Sequence, residues 1–185
     1  MPKPYYLDSD GRRLADNSPI EDIEYSVYDI EIERGIHYQP HPALASDAQG
    51  RYRYHALGEK DLHSVNTLSD FAETGSRELI AADYVYQIKR LAHPRLHSPI
   101  FGLMSDYIVG LKDYAATLQR AHEQREAETG KRPVFINLND YPLAGVEVLD
   151  RYRYRVKVHG KYPQFLYWLA MPFFAPVPWE ADLFY

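Results

Sequence analysis

The histidines are the residues of this sequence whose type and spacing could hold a metal ion. Eight occur among 185 residues, and there is no cysteine. His37 and His41 stand at the spacing that brings two imidazoles to one face of a helix, and His55 follows. A metal held by imidazoles can activate water for hydrolysis. One alternative is therefore a small metal-dependent hydrolase that uses His37, His41 and His55.

The residues beside His41 argue against that alternative. Pro40 and Pro42 flank it, and proline prevents the regular helix that the spacing argument needs. The sequence contains no His-Glu-x-x-His motif. We therefore predict no metal site and interpret these histidines as loop residues with local hydrogen bonds, as we do His93 and His97.

Other catalytic motifs are also missing from the sequence. It has no Gly-x-Ser-x-Gly nucleophile elbow and no glycine loop that would bind phosphate. The carboxylate pairs Asp8/Asp10 and Glu31/Glu33 fall in a turn and on the polar face of a strand, whereas acid–base chemistry needs a pocket that shifts a pKa. We predict no enzyme activity, no catalytic residue and no cofactor.

The charge balance makes nucleic-acid binding an unfavoured function. Acidic residues number 26 against 21 lysines and arginines, and phosphate binding needs a clustered basic excess. The basic residues 151, 153, 155 and 157 alternate, which is typical of the solvated face of a strand. No run of apolar residues is long enough to span a bilayer. We predict no nucleic-acid partner and no membrane-spanning segment.

Apolar periodicity predicts an α+β domain. Tyr28, Ile30 and Ile32 alternate with acidic residues, which indicates a strand over residues 26–33. Further predicted strands cover residues 134–138, 146–149 and 152–158, and predicted helices cover residues 79–91, 108–130 and 162–171. The expected fold is a small mixed or antiparallel sheet with about three packed helices. Long insertions are expected at residues 40–78 and 100–140.

The 17 tyrosines and a C-terminal aromatic cluster suggest two further uses. The cluster could line a ligand cleft, but its helical spacing favours core packing. Exposed tyrosines could instead form the surface of a protein-interaction domain. The cluster consists of Tyr162, Phe165, Tyr167, Trp168, Phe173, Phe174 and Trp179.

Three segments follow one another in an order that is typical of a known family. The first, residues 28–38, contains Arg34-Gly35 after the predicted strand, and the second is the helix of residues 80–91. The third runs from residue 146 through the predicted hairpin into Tyr162-Pro163 and Val177-Pro178. Together they resemble the family 5 extracellular solute-binding proteins, which include the dipeptide-, oligopeptide- and nickel-binding components of ABC importers.

The resemblance implies a two-lobed clamp in which residues 1–185 form one domain, the smaller extra domain of the first lobe. It implies non-covalent binding of peptides or similar small solutes and their delivery to a membrane permease. The expected protein is a monomer in the periplasm, with its signal sequence before Met1. Because the main pocket of this family lies between the lobes, we assign no ligand-binding residue.

Overall fold

A computed structural model describes residues 2–58, 60–130 and 134–185. The chain forms two compact units. Unit 1 comprises Met1–Ile32 and Ile80–Val177, and unit 2 comprises Glu33–Leu79 and Pro178–Tyr185. Unit 2 therefore contains the whole insertion predicted at residues 40–78.

Unit 1 is built on a four-stranded antiparallel sheet with the strand order β1-β2-β4-β3. Tyr28 and Val156 pair across its two central strands, and both are fully buried. Asp29 and Glu31 are exposed and Ile32 is buried, so the predicted alternation is confirmed from Tyr28 to Ile32. Val27, on the same face as Asp29, is nevertheless buried. The strands are β1 (Tyr5–Leu7), β2 (Tyr25–Glu31), β3 (Val146–Asp150) and β4 (Arg153–His159).

Five α-helices lie in the described residues, where about three were predicted. With the antiparallel sheet they make the molecule an α+β protein. None of these helices is long and apolar enough to cross a membrane. Four belong to unit 1, namely α1 (Ala81–Arg90), α2 (Phe101–Tyr107), α3 (Leu111–Thr129) and α4 (Phe165–Leu169), and α5 (Trp179–Phe184) belongs to unit 2.

The helix predicted from Ile108 to Gly130 begins three residues late. Ile108 forms an isolated bridge with Val158, and Gly110 adopts a left-handed φ of 76° that interrupts the helix. The separate helix α2 precedes this break. The predicted end is confirmed, because Gly130 follows α3 with a φ of 63°.

Two further element predictions are wrong. Residues 134–137 are irregular and lead into a 3₁₀ turn at Leu138–Asp140, where a strand was predicted. The Leu138 carbonyl accepts hydrogen bonds from side chains instead of a neighbouring strand. The helix predicted at residues 162–171 covers only Phe165–Leu169, and no helix was predicted where α5 lies.

The described residues of unit 2 form isolated bridges and short helical turns. His41 and Gly75 exchange backbone hydrogen bonds of 2.9 and 3.1 Å. A Cβ atom on Gly75 would collide with the Leu44 carbonyl, so only glycine fits this crossing. The 3₁₀ turn Pro42–Leu44 follows His41, and Ala43 and Leu44 are buried.

Candidate functional sites

The three histidines of the metal alternative lie in unit 2, where each already has a protein partner. His41 Nδ1 accepts the Ala43 N–H at 3.0 Å, and its Nε2 lies 3.0 Å from the Tyr185 hydroxyl. His55 Nε2 lies 2.8 Å from the Ala43 carbonyl, and His37 Nδ1 lies 3.0 Å from a nearby carbonyl. The contacts of His37, of His55 and of His41 Nδ1 lie within 12 residues, as predicted, whereas the contact between His41 and Tyr185 spans 144 residues. Across the described ranges, no group of three or more potential ligands could hold a metal ion.

A buried carboxylate organises the polar contacts of unit 2. Glu180 on α5 is 2% exposed, and Arg77 donates to both its oxygens, over 2.7 and 2.8 Å. The Tyr52 hydroxyl donates to Oε1 at 2.6 Å. Burial raises the pKa of Glu180, but the hydrogen bonds from Arg77 and Tyr52 outweigh it and hold the pKa below its usual value. Glu180 is therefore an ionised structural group rather than a proton donor.

Aromatic rings surround this ion pair. The Tyr52 ring stacks on His55 with centroids 4.3 Å apart, and the Trp179 ring stands edge-on to both. Phe184, which is also on α5, packs against Phe71 with ring centroids 5.2 Å apart. These contacts fix α5 within unit 2 and account for Trp179 of the predicted aromatic cluster.

The rest of that cluster divides between core and surface of unit 1. Phe165 and Phe174 are buried against each other, which confirms core packing for these two. Tyr162 stacks on Tyr107 at 3.9 Å and accepts a hydrogen bond from Trp168 Nε1 at 2.8 Å. Further along this segment, Tyr167 on α4 is 68% exposed.

The alternating basic residues of β4 face the outer side of the sheet, as predicted. Arg155 binds both oxygens of Asp29, at 2.6 and 3.0 Å, and this hydrogen bonding raises the pKa of Arg155. The Lys157 ammonium lies 4.0 Å from the centre of the Tyr25 ring. These cations contact groups of the same sheet, as is typical of a solvated strand face.

Lys89, in the last turn of α1, is a buried lysine. Lys89 is 8% exposed and donates to the Leu138 carbonyl at 3.1 Å, which also accepts from the Tyr114 hydroxyl. Burial lowers the pKa of Lys89, and the charge of Asp140 opposes this in part. The ammonium ties α1 to the irregular segment where a strand was predicted.

A cleft of about 410 Å³, which we call the histidine cleft, opens in unit 1 beside the loop that joins α1 to α2. His93 and His97, both predicted to be loop histidines, line it. Its remaining walls come from this loop and from α2 and α3. The cleft is lined by Leu91, Ala92, His93, Pro94, His97, Ser98, Phe101, Ala115 and Gln119.

No protein-family model matches the chain, and no curated protein is significantly similar to it. Sequence reasoning missed Glu180 because its partners Tyr52 and Arg77 lie 128 and 103 residues away along the chain. It missed the histidine cleft because the positions of α2 and α3 depend on tertiary packing.

Proposed function

We propose that this chain is a domain of the substrate-binding component of an ABC importer. In this role it takes part in binding peptides or similar small solutes and in delivering them to a membrane permease, without bond chemistry. The observation that carries the proposal is the ordered succession of three family-like segments. The first begins on β2, the second covers α1, and the third passes through β3 and β4 into α4.

The proposal includes the setting that the resemblance implies. The protein acts as a monomer in the periplasm, its partners are the solute and the permease, and nucleic acid is not among them. The main solute pocket lies between two lobes, so most solute contacts are expected outside these 185 residues.

The state of the buried charges supports binding rather than catalysis. The Glu180 carboxylate forms an ion pair with Arg77, and the Lys89 ammonium donates a hydrogen bond to a backbone carbonyl. A catalytic acid or base needs access to a substrate proton as well as a shifted pKa. Both groups are engaged by protein partners within their own unit, as is expected of buried charges in a binding domain.

Native ligand analysis tests this proposal. The polypeptide containing this chain would be purified from its source without denaturation, then unfolded, and the released small molecules identified by mass spectrometry. We expect peptides in roughly equimolar amount. The control is the same protein stripped of ligand before unfolding. If nothing is released and the stripped protein takes up no peptide from a mixture, the proposal is wrong.

The exposed apolar residues of unit 1 favour a protein-interaction domain as the second candidate. Leu103, Tyr167 and Met171 are 40%, 68% and 44% exposed, and Tyr is favoured at interaction hot spots. A photo-crosslinker at position 167 would then capture one protein in a cell extract. Met171→Asp, at an exposed position four residues from Tyr167, should abolish that crosslink, and Leu62→Asp, at an exposed site in unit 2, should leave it intact. A crosslink insensitive to Met171→Asp would contradict this candidate.

A further inference from the structure

The histidine cleft has the size and lining of a small-molecule site. Its volume of about 410 Å³ falls in the range of pockets that hold small organic ligands. Leu91, Pro94 and Phe101 give it an apolar wall. A ligand with an apolar or aromatic body would bury its surface against these side chains.

The polar lining groups match an anion rather than a cation. His93, His97, Ser98 and Gln119 can all donate hydrogen bonds, and imidazole can also take up a proton. No Asp or Glu is among the described residues that line the cleft. A carboxylate would therefore find donors without meeting a like charge in the lining.

The hydrogen bonding of His93 sets which nitrogen carries its proton. Its Nδ1 accepts the Arg95 N–H at 3.3 Å, so the proton of the neutral ring is on Nε2. Nε2 is thereby a hydrogen-bond donor. The guanidinium of Arg95 is held by Glu126 at 3.3 Å.

The buried His122 ring lies next to His93, and the described residues do not provide hydrogen-bond partners for both of its nitrogens. The His122 ring stands edge-on to the His93 ring, with centroids 6.2 Å apart, and His122 is 5% exposed. Its Nδ1 is 3.6 Å from a Glu126 oxygen, while its Nε2 has no hydrogen-bond partner among the described residues. A buried unpaired nitrogen is costly, and such groups call for a functional explanation.

His97 adds backbone strain at the same cleft. It has a φ of 45°, the one positive φ of a non-glycine residue in the described part of the chain. Strain of this kind persists where the surrounding structure holds a residue in place, and it clusters at ligand sites. Here it holds an imidazole in the cleft lining.

We propose that the histidine cleft binds a small carboxylic acid that carries an apolar or aromatic group. The carboxylate accepts hydrogen bonds from His93 and His97, and the apolar part packs on Phe101. His93 donates from Nε2, because its Nδ1 already accepts the Arg95 N–H, and the His122 ring packs edge-on against it. The site lies wholly within unit 1 and does not depend on the proposed transport function.

Calorimetric titration of the full chain with 3-phenylpropionate tests this site, with 3-phenylpropanamide as the uncharged analogue. We expect saturable one-to-one binding of the acid and about tenfold weaker binding of the amide, because hydrogen bonds to a charged group are the stronger ones. His93→Gln should weaken acid binding about tenfold. Ala115→Leu, which fills the cleft without changing its charge, should abolish it.

The matched control is His63→Gln, which removes an exposed imidazole of unit 2 and should leave binding unchanged. Thermal unfolding of each variant shows whether it is folded. If His93→Gln does not fold, His97→Asn replaces it, since asparagine tolerates a positive φ. The proposal is overturned if the acid does not bind at millimolar concentration, if the amide binds equally well, or if Ala115→Leu binds like the parent chain.

Discussion

At the scale of single residues, Glu180 is the group whose removal should cost most in unit 2. Glu180→Gln keeps an acceptor for Tyr52 but leaves Arg77 without its counter-charge. Breaking a buried pair is strongly destabilising, and 23% exposure of the Arg77 side chain reduces the loss to about 2 kcal/mol. Urea unfolding measures it. Asp10→Asn, in an exposed pair with Arg12, should change stability by less than about 0.5 kcal/mol.

The pH dependence of that loss follows from the lowered pKa of Glu180. Its pKa in the folded chain lies below the ordinary value of 4.5, so the unfolded chain binds the proton more tightly. The contribution is therefore complete above pH 4.5 and is lost as pH falls through the folded-state pKa. The stability difference between the parent chain and Glu180→Gln should shrink with acidification. A difference that stays constant on acidification would refute this assignment.

Removing the charge of Lys89, unlike that of Glu180, should not destabilise the protein, because burial disfavours the charged form of this lysine. Lys89→Met removes the desolvated ammonium, and the Leu138 carbonyl keeps the Tyr114 hydroxyl as donor. We expect stability at pH 7 equal to the parent or up to about 1 kcal/mol higher. Lys112→Met, at an exposed position on α3, is the control and should be neutral within about 0.5 kcal/mol.

Alkaline titration sharpens the Lys89 prediction. The lowered pKa means that the unfolded chain holds this proton up to 10.5 while the folded chain releases it earlier. The parent chain should therefore gain stability relative to Lys89→Met as pH rises toward 10.5. Tyrosine ionisation is common to both proteins and cancels in the comparison. A loss of several kcal/mol at pH 7 would instead identify the ammonium as a net stabilising contact.

At the scale of elements, Gly145, directly before β3, lies against Val109 of the α2–α3 connection. A Cβ there would collide with the Val109 carbonyl, while the Gly145 carbonyl accepts from Lys157 N at 2.8 Å. Gly145→Ala should therefore destabilise unit 1 by about 2 kcal/mol or more, since the backbone must move. Gly102→Ala on α2 meets nothing within 4 Å and should stabilise by up to about 1 kcal/mol. Equal effects in thermal unfolding would contradict this packing.

The same elements show what local sequence can predict. The strand at Tyr28 and the helix end at Gly130 follow from side-chain period and backbone freedom, so both were predictable. The break before α3 was not, because Ile108 continues the helical period yet pairs with Val158. The helical spacing could predict that His122 lies on the apolar face of α3. It could not predict that Nε2 of His122 lacks a hydrogen-bond partner among the described residues, because that depends on the loop that packs against this ring.

At the scale of the whole molecule, composition and period predicted the α+β class but not the division into two units. Unit 2 joins residues 33–79 to the last eight residues, and contacts over that separation carry no local signature. The predicted aromatic cluster illustrates this, since Phe165 packs in unit 1 and Trp179 in unit 2.

We propose that the protein binds peptides non-covalently, and calorimetric titration of the ligand-free native polypeptide with short peptides tests this most directly. Mass spectrometry of the recovered ligand accompanies the titration. We predict saturable one-to-one binding of at least one peptide, which is recovered intact. A protein that binds none of the peptides, or that returns them cleaved, would contradict the claim.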